Sequence, residues 1–242
     1  MSRNSSVLIS GAGIAGLTLA ILLKEQGHEP LVVERNKELR TEGYMMDFFG
    51  SGWDVATRMG LTDQLRAIHY PIDALQFVDR DGKIYASVPI ARISQALGGK
   101  FVYLRRSDLE RILYDRARAA GVAVRFGSVV TALRETANGV RATFVDGAAA
   151  DFALVFGADG VHSGVRRLMF GEQSQFERFL GGYVAAFHLK RHKFDVGHAL
   201  KLYEEPDRVA AFYPLDDKRM DATYVFRHDE IQLLPEDRLS FV

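Results

Sequence analysis

The pattern of apolar and polar positions opens with a short unbroken apolar run, residues 7–9 (Val-Leu-Ile), read as a buried parallel strand. It passes through Gly11, Gly13 and Gly16 straight into an apolar helix carried by Leu17, Ala20, Ile21 and Leu23, which Gly27 closes as a residue suited to a left-handed cap. A second apolar run, residues 31–33, ends on Glu34. The stretch 35–52 is polar and broken by glycine, with Met45, Met46, Phe48 and Phe49 set in it, and is expected as a long connecting loop. Short helices are expected from Gly52 or Trp53 to Met59 and over residues 62–68.

The period then changes from helical to two. Residues 74–78 and 84–88 flank Asp79-Arg80-Asp81-Gly82, a hairpin signal, and read as an inserted antiparallel pair outside the first fold. Ser107-Asp108-Leu109-Glu110 has capping-box spacing and is expected to start a helix that ends at Gly121. Strands are expected at 122–126, 129–134 and 140–145, the last two joined through Asn138-Gly139. A further apolar strand over 151–156 leads into Gly157-Ala158-Asp159-Gly160. Beyond Phe170 the runs 183–189, 200–204, 209–213 and 222–226 predict a broad antiparallel sheet. No repeat, low-complexity tract or flexible linker separates the parts, so they read as interwoven.

Composition narrows the classes. A chain of 242 residues, 48% hydrophobic and 26% charged, has the makings of a globular protein with a sizeable core. Its 31 basic and 31 acidic residues balance, which gives no reason to expect nucleic acid or an anionic membrane as partner. The absence of cysteine excludes disulfides, thiolate metal sites and cysteine nucleophiles, and fits a reducing compartment. The apolar segment 7–23 is too short and too glycine-rich for a membrane span, and Lys24-Glu25-Gln26 offers no signal-peptide cleavage site. The expected setting is the cytoplasm.

The first forty residues carry the chemistry. Glycines at 11, 13 and 16 answer a tight turn, close approach of backbone to a pyrophosphate, and close packing of helix on strand. The helix opening there points unpaired N–H groups at an anion. Glu34, twenty-three residues after Gly11, ends the second strand, where a carboxylate can accept hydrogen bonds from both ribose hydroxyls of an adenosine. A glycine-rich turn in some other βαβ unit would lack that acidic answer. Gly11, Ala12, Gly13, Ile14, Ala15, Gly16, Glu34 and Arg35 thus mark a dinucleotide site. A second glycine-punctuated turn, 157–160, follows a strand and precedes a helix bearing Arg166 and Arg167, which are suited to pair with a carboxylate or phosphate.

Three elements together resemble the FAD-dependent monooxygenases of the aromatic hydroxylase group, the para-hydroxybenzoate hydroxylase-like family that includes tetracycline-inactivating enzymes. They are Gly11-Ala12-Gly13-Ile14-Ala15-Gly16 with Glu34-Arg35, the stretch Arg106-Ser107-Asp108-Leu109, and Gly157-Ala158-Asp159-Gly160 with Ser163 and Arg166. The resemblance covers about residues 7 to 170. It implies an α/β fold: a Rossmann-like FAD-binding domain with a parallel sheet (1–72 and 97–175), interleaved with a mostly antiparallel β-sheet substrate domain (73–96 and 176–242). It implies that the first motif binds the ADP part of FAD, that Arg106, Arg40 and Asp47 approach the flavin or its side chain, and that Asp159 and Gly160 contact flavin and help position the nicotinamide cofactor. It also implies the reaction: NAD(P)H reduces FAD, O₂ gives a C4a-hydroperoxide, and one oxygen passes to a small organic substrate, aromatic or polycyclic. No second Gly-x-Gly-x-x-Gly is present, which agrees with a reductant that visits transiently. The assembly expected is a monomer or homodimer.

The sequence departs from the family in one respect. It has no Gly-Asp dipeptide of the kind that closes over the flavin, and it stops at Val242, just after Leu239-Ser240-Phe241. The expectation is a chain short of the last strand and helix pieces, with FAD bound weakly or not at all and activity lost or reduced with it. A related reductase or halogenase, or a non-catalytic FAD-binding fragment, are the alternatives; the single Trp53 lies too early for the halogenase signature. No catalytic acid or base is assigned. His162 is read as a surface-loop residue, and Tyr103, Tyr183, Tyr203, Tyr213 and Tyr224 as core or pocket lining. Met45, Met46, Phe48 and Phe49 read equally as cavity lining and as plain packing. No histidine or carboxylate spacing suggests a metal.

Overall fold

The computed structural model describes residues 5–41, 43–190, 196–216 and 218–228; the expectation about the end at Val242 lies outside them. The first half of the chain gives β1 (Ser6–Ser10), α1 (Ile14–Glu25), β2 (Glu29–Glu34), β3 (Met45–Phe49), α2 (Gly50–Arg58), α3 (Thr62–Ala67), β4 (Ala74–Val78), β5 (Ile84–Pro89), α4 (Ile90–Ala96), β6 (Phe101–Arg105) and α5 (Arg106–Ala119). The second half gives β7 (Ala123–Phe126), β8 (Val130–Thr136), β9 (Gly139–Phe144), β10 (Ala149–Phe152), β11 (Leu154–Gly157), α6 (Gly164–Phe170), β12 (Gly182–Lys190), β13 (Ala199–Glu205), β14 (Arg208–Pro214) and β15 (Arg219–Arg227). They fall into two compact units, Met1–Gly43 with Arg105–Glu177, and Tyr44–Leu104 with Arg178–Val242.

In the first unit a parallel sheet runs β11-β1-β2-β7. Val7, Leu8 and Ile9 are wholly buried, as their unbroken apolar run requires of a central parallel strand. Ser10 is in register with both Val33 and Gly157, so the turns after β1, β2 and β11 emerge side by side at the carboxyl edge. A second, antiparallel sheet, β10-β9-β8, shares a core with the first through Leu8, Val33, Phe144 and Phe152. The single strand expected over 151–156 is two strands. Asp151 and Phe152 pair antiparallel with β9, whereas Leu154 to Gly157 pair parallel with β1. Ala153 bridges them by donating its N–H to the Ser6 carbonyl.

In the second unit a six-stranded sheet runs β12-β15-β14-β13-β4-β5. Every pair is antiparallel except β13 with β4. The β4–β5 hairpin is thus an edge of this sheet. β3 and β6 form a two-stranded sheet of their own. The stretch expected as a long loop therefore contains a strand, and α4 is an element the apolar pattern did not announce. Met45, Phe101 and Tyr103 enter the core with Ile72, Leu200 and Ala211, which is why residues 44–72 and 97–104 pack with the second unit. Met45 is core. Phe48 packs near Trp53 and Phe49 near Phe101.

Candidate cofactor site

The first unit gathers three turns at the carboxyl edge of its parallel sheet. Between β1 and α1, Gly11 donates its N–H to the Val33 carbonyl at 2.7 Å, and Ala12 donates to Glu34 Oε2 at 3.0 Å. Glu34 Oε1 accepts from Asn36 N–H at 2.9 Å. The carboxylate that ends β2 thus pins its own turn to that of β1. Gly11 has φ +108°, a conformation L side chains rarely adopt, and a Cβ there would stand 2.4 Å from the Ala158 carbonyl oxygen. At Gly13 the backbone is extended (φ −78°, ψ −176°), and the nearest atoms to an added Cβ are Glu110 Oε1 at 3.7 Å and Arg106 Nη2 at 3.8 Å. Packing does not demand a glycine at that position. No side chain caps α1, so the first amides of the helix, at Ile14, Ala15 and Gly16, have no partner within it.

The opposite wall is the start of α5. The capping box expected from Ser107 to Glu110 does not form: the helix begins one residue earlier, at Arg106, and Ser107 Oγ is buried without a partner. Ser107 lies inside the helix, and the loop at Gly43 packs closely on it, since a Cβ on Gly43 would stand 2.7 Å from Ser107 N and 3.1 Å from its Oγ. Glu110 instead pairs with Arg106 one turn earlier, Nη2 to Oε1 at 2.7 Å. Burial raises the Glu110 carboxyl above its ordinary value; Arg106 and Arg40 pull against this, and Glu34 adds to it. Its position four residues after an arginine was a legible sign of an ion pair.

The third wall is the turn after β11. Asp159 accepts from Ser163 Oγ–H, from Val165 N–H at 3.1 Å and from Ser10 Oγ–H at 3.4 Å. Ser163 in turn caps α6 by accepting the Arg166 N–H at 3.0 Å. Gly160, at φ +83°, has open space beside it. Arg166 donates to the Val161 carbonyl and lies over the Phe176 ring. His162 points outward, exposed, to Gln173 and Glu177.

These walls enclose a cavity of about 420 Å³, within the size range of small-molecule sites. Gly11, Ala12, Gly13, Glu34, Arg35, Arg40, Arg106, Asp159 and Gly160 all line it. Ile14, Ala15 and Gly16 are in α1 and do not line it; Gly16 is buried. Asp47 stands on β3 in the second unit, where desolvation raises its carboxyl above the ordinary value although part of the residue is open to solvent. Tyr103 and Tyr213 share that core, their rings 6.3 Å apart. Burial, aided by Asp47 and Asp221, pushes the Tyr213 hydroxyl up to about 12. Of the two arginines singled out on α6, Arg167 lines the cavity and Arg166 does not, and reading the sequence missed Asn36, Glu110 and Ser128 on the cavity wall. Ser128 Oγ is buried there without a partner and left no local signal.

A strand, a glycine turn and a helix, answered by an acid on the neighbouring strand and grouped around one cavity, define a dinucleotide-binding α/β protein. The chain belongs to the FAD binding domain family, which it matches over residues 4–233. It is 37% identical over 183 residues to the uncharacterized protein Rv1260 of Mycobacterium tuberculosis (strain ATCC 25618 / H37Rv), covering 75% of this chain and 49% of that one. It is 34% identical to the FAD-dependent monooxygenase asL4 of Sarocladium schorii, covering 75% of this chain and 43% of the relative. Among solved structures, tetracycline destructase Tet(51) superposes with a TM-score of 0.79 at 26% identity, over 98% of this chain and 60% of that one. The chain spans about half the length of these curated relatives. These similarities bear out the resemblance to the flavin-dependent monooxygenases.

Proposed function

We propose that this chain is the FAD-binding part of a monooxygenase that hydroxylates a small organic substrate, aromatic or polycyclic, with NAD(P)H and O₂. The observation that carries the reading is Gly13. Its neighbours Gly11 and Gly16 are glycines because protein atoms crowd them, whereas Gly13 lines the cavity and a Cβ on it would meet only Glu110 and Arg106 at ordinary contact distance, so its glycine suits the approach of a diphosphate. The residues present fit that group. The amides of Gly13, Ile14, Ala15 and Gly16 and the positive end of α1 offer donors to its phosphates, with Arg106 and Arg40 as counter-cations. Glu34, fixed by Ala12 and Asn36, is aligned to accept from ribose hydroxyls. Arg35, Asp159 and Gly160 supply the remaining wall. Asp47 is assigned to the flavin end on the family resemblance.

When bound, FAD would supply the redox chemistry that links NAD(P)H, O₂ and the substrate. The protein's part is to hold the diphosphate, to place Arg106 beside it, and to keep the first turn rigid through the Gly11, Ala12 and Glu34 hydrogen bonds. A cytoplasmic setting, where NAD(P)H is supplied, goes with this reading.

The test is to add FAD to the purified chain, remove excess by gel filtration, record the flavin absorbance, and follow NAD(P)H oxidation and O₂ uptake. A retained yellow chromophore with reductant consumption is expected. Retention without consumption would make the chain a binding module, and no retention would refute the site.

A further inference from the structure

Among the ionisable groups around the cavity, Glu110 is the buried one to which cofactor binding as described gives no task. Its side chain is 4% exposed, and among the described residues it is ion-paired with Arg106. A buried carboxylate is costly unless fully paired, and a glutamate serving only to anchor an arginine would be better placed toward solvent. Glu110 Oε1 and Arg106 Nη2 instead stand beside Gly13, 3.7 and 3.8 Å from where a Cβ on it would lie, so that an anion approaching Gly13 meets Glu110 and Arg106 together.

The charge around it makes the position consequential. Four arginines (Arg35, Arg40, Arg106, Arg167) and four carboxylates (Glu34, Glu38, Glu110, Asp159) line the cavity, with His162 at its rim. Arg40 and Glu34 act directly on the Glu110 carboxyl, in opposite senses. A set already balanced has no surplus cation for a diphosphate that brings two negative charges. A like charge within about 4–6 Å disfavours the ionised form of a carboxyl. Of the four acids, Asp159 accepts from three donors and Glu34 from two backbone amides. Glu110 has only the guanidinium that the incoming phosphate also needs.

We propose that FAD binds this site with uptake of one proton at Glu110, which frees Arg106 from its ion pair to serve the cofactor's diphosphate. The proton comes from solvent and rests on the carboxylate; no bond of the cofactor is made or broken. Glu110 is thus a positioning residue, acting through Arg106. This inference rests on the FAD-binding reading above.

The experiment titrates the chain with FAD by quenching of flavin fluorescence between pH 6 and 8.5, and repeats it by calorimetry in two buffers of different ionisation enthalpy. Neither the diphosphate nor the flavin titrates in this range, and His162 is controlled by the variant. In the wild type the dissociation constant is expected to rise up to about tenfold per pH unit toward the alkaline end, with uptake approaching one proton per FAD. Glu110→Gln keeps the shape and an acceptor for Arg106 but stays neutral. It is expected to bind without proton uptake, with a flat profile, and at pH 8 more tightly than the wild type. Saturable binding without proton uptake in the wild type, or an unchanged slope in Glu110→Gln, overturns the proposal and leaves the FAD reading standing. No saturable binding by the wild type at any pH overturns both.

Discussion

A methyl group on Gly16 would stand 1.9 Å from the carbonyl oxygen of Gly11. Nothing there is free to give way, because the obstructing atom is backbone at the mouth of a buried strand. The outer glycines of the turn therefore serve the fold and the middle one is left for a ligand. Gly16→Ala and Gly11→Ala are expected to lose about 3 kcal/mol or more of stability through overpacking and backbone strain. Gly13→Ala is expected to stay within about 1 kcal/mol of the wild type. Gly13→Val is likewise expected to fold, yet to lose at least about a hundredfold in FAD affinity. Denaturation curves run beside FAD titrations separate the two classes; a Gly13→Val chain that binds FAD normally would remove the diphosphate from this turn.

Asp159 is engaged in structure as much as in lining the cavity. Its three donors tie the end of β1 to the start of α6. Asp159→Ala leaves the Val165 amide and the Ser163 hydroxyl without their acceptor, and is expected to cost about 2–4 kcal/mol. Ser163→Ala removes the α6 cap and one of those donors, and is expected to cost about 1–2 kcal/mol. Because the two residues share a hydrogen bond, the double variant should cost less than the sum, by about 1 kcal/mol. Urea denaturation of the four proteins reads this directly; additive losses would mean that the Asp159–Ser163 bond contributes nothing.

How much of this was legible in the sequence follows from how local each constraint is. The β1–α1–β2 unit was readable because the turn's steric needs act over a few residues, and an apolar run of three, flanked by glycine, admits few alternatives. The strands of the large sheet were readable from their alternation. β3 was not, because along Met45–Phe49 only Met45 is buried, and one buried residue sets no period. The break at Ala153 was invisible because both strands beside it are apolar and only their partners differ. At the misread start of α5, the close packing of Gly43 on Ser107 joins residues far apart in the chain and left no local signal. The site residues found from the glycine fingerprint are those whose role is backbone geometry; the Arg106–Glu110 pair was legible as spacing on one helix, but that it faces the cavity was not, and Ser128 left no local signal.

Asp47 provides a pH-dependent measurement on the second unit. Its carboxyl is raised by desolvation, so the folded state holds its proton more tightly than the unfolded chain does. The sign follows from linkage. Below the ordinary carboxylate value of 3.8 both states are protonated and the group contributes no difference; as pH rises through the folded value, ionisation favours unfolding. Asp47→Asn removes that penalty without changing shape. It should match the wild type near pH 3.5 and melt higher at pH 7, by a few degrees at most for a residue partly open to solvent, given roughly 2–4 °C per kcal/mol for domains of this size. The same charge bears on Tyr103 and Tyr213, whose hydroxyls it raises in company with their burial. In Asp47→Asn both phenols should therefore ionise at lower pH, a change measurable by ultraviolet difference titration. A variant that melts lower than the wild type at pH 7 would mean that the carboxylate is stabilised by its surroundings, contrary to the desolvation argument, and would reverse the direction assigned to both tyrosines.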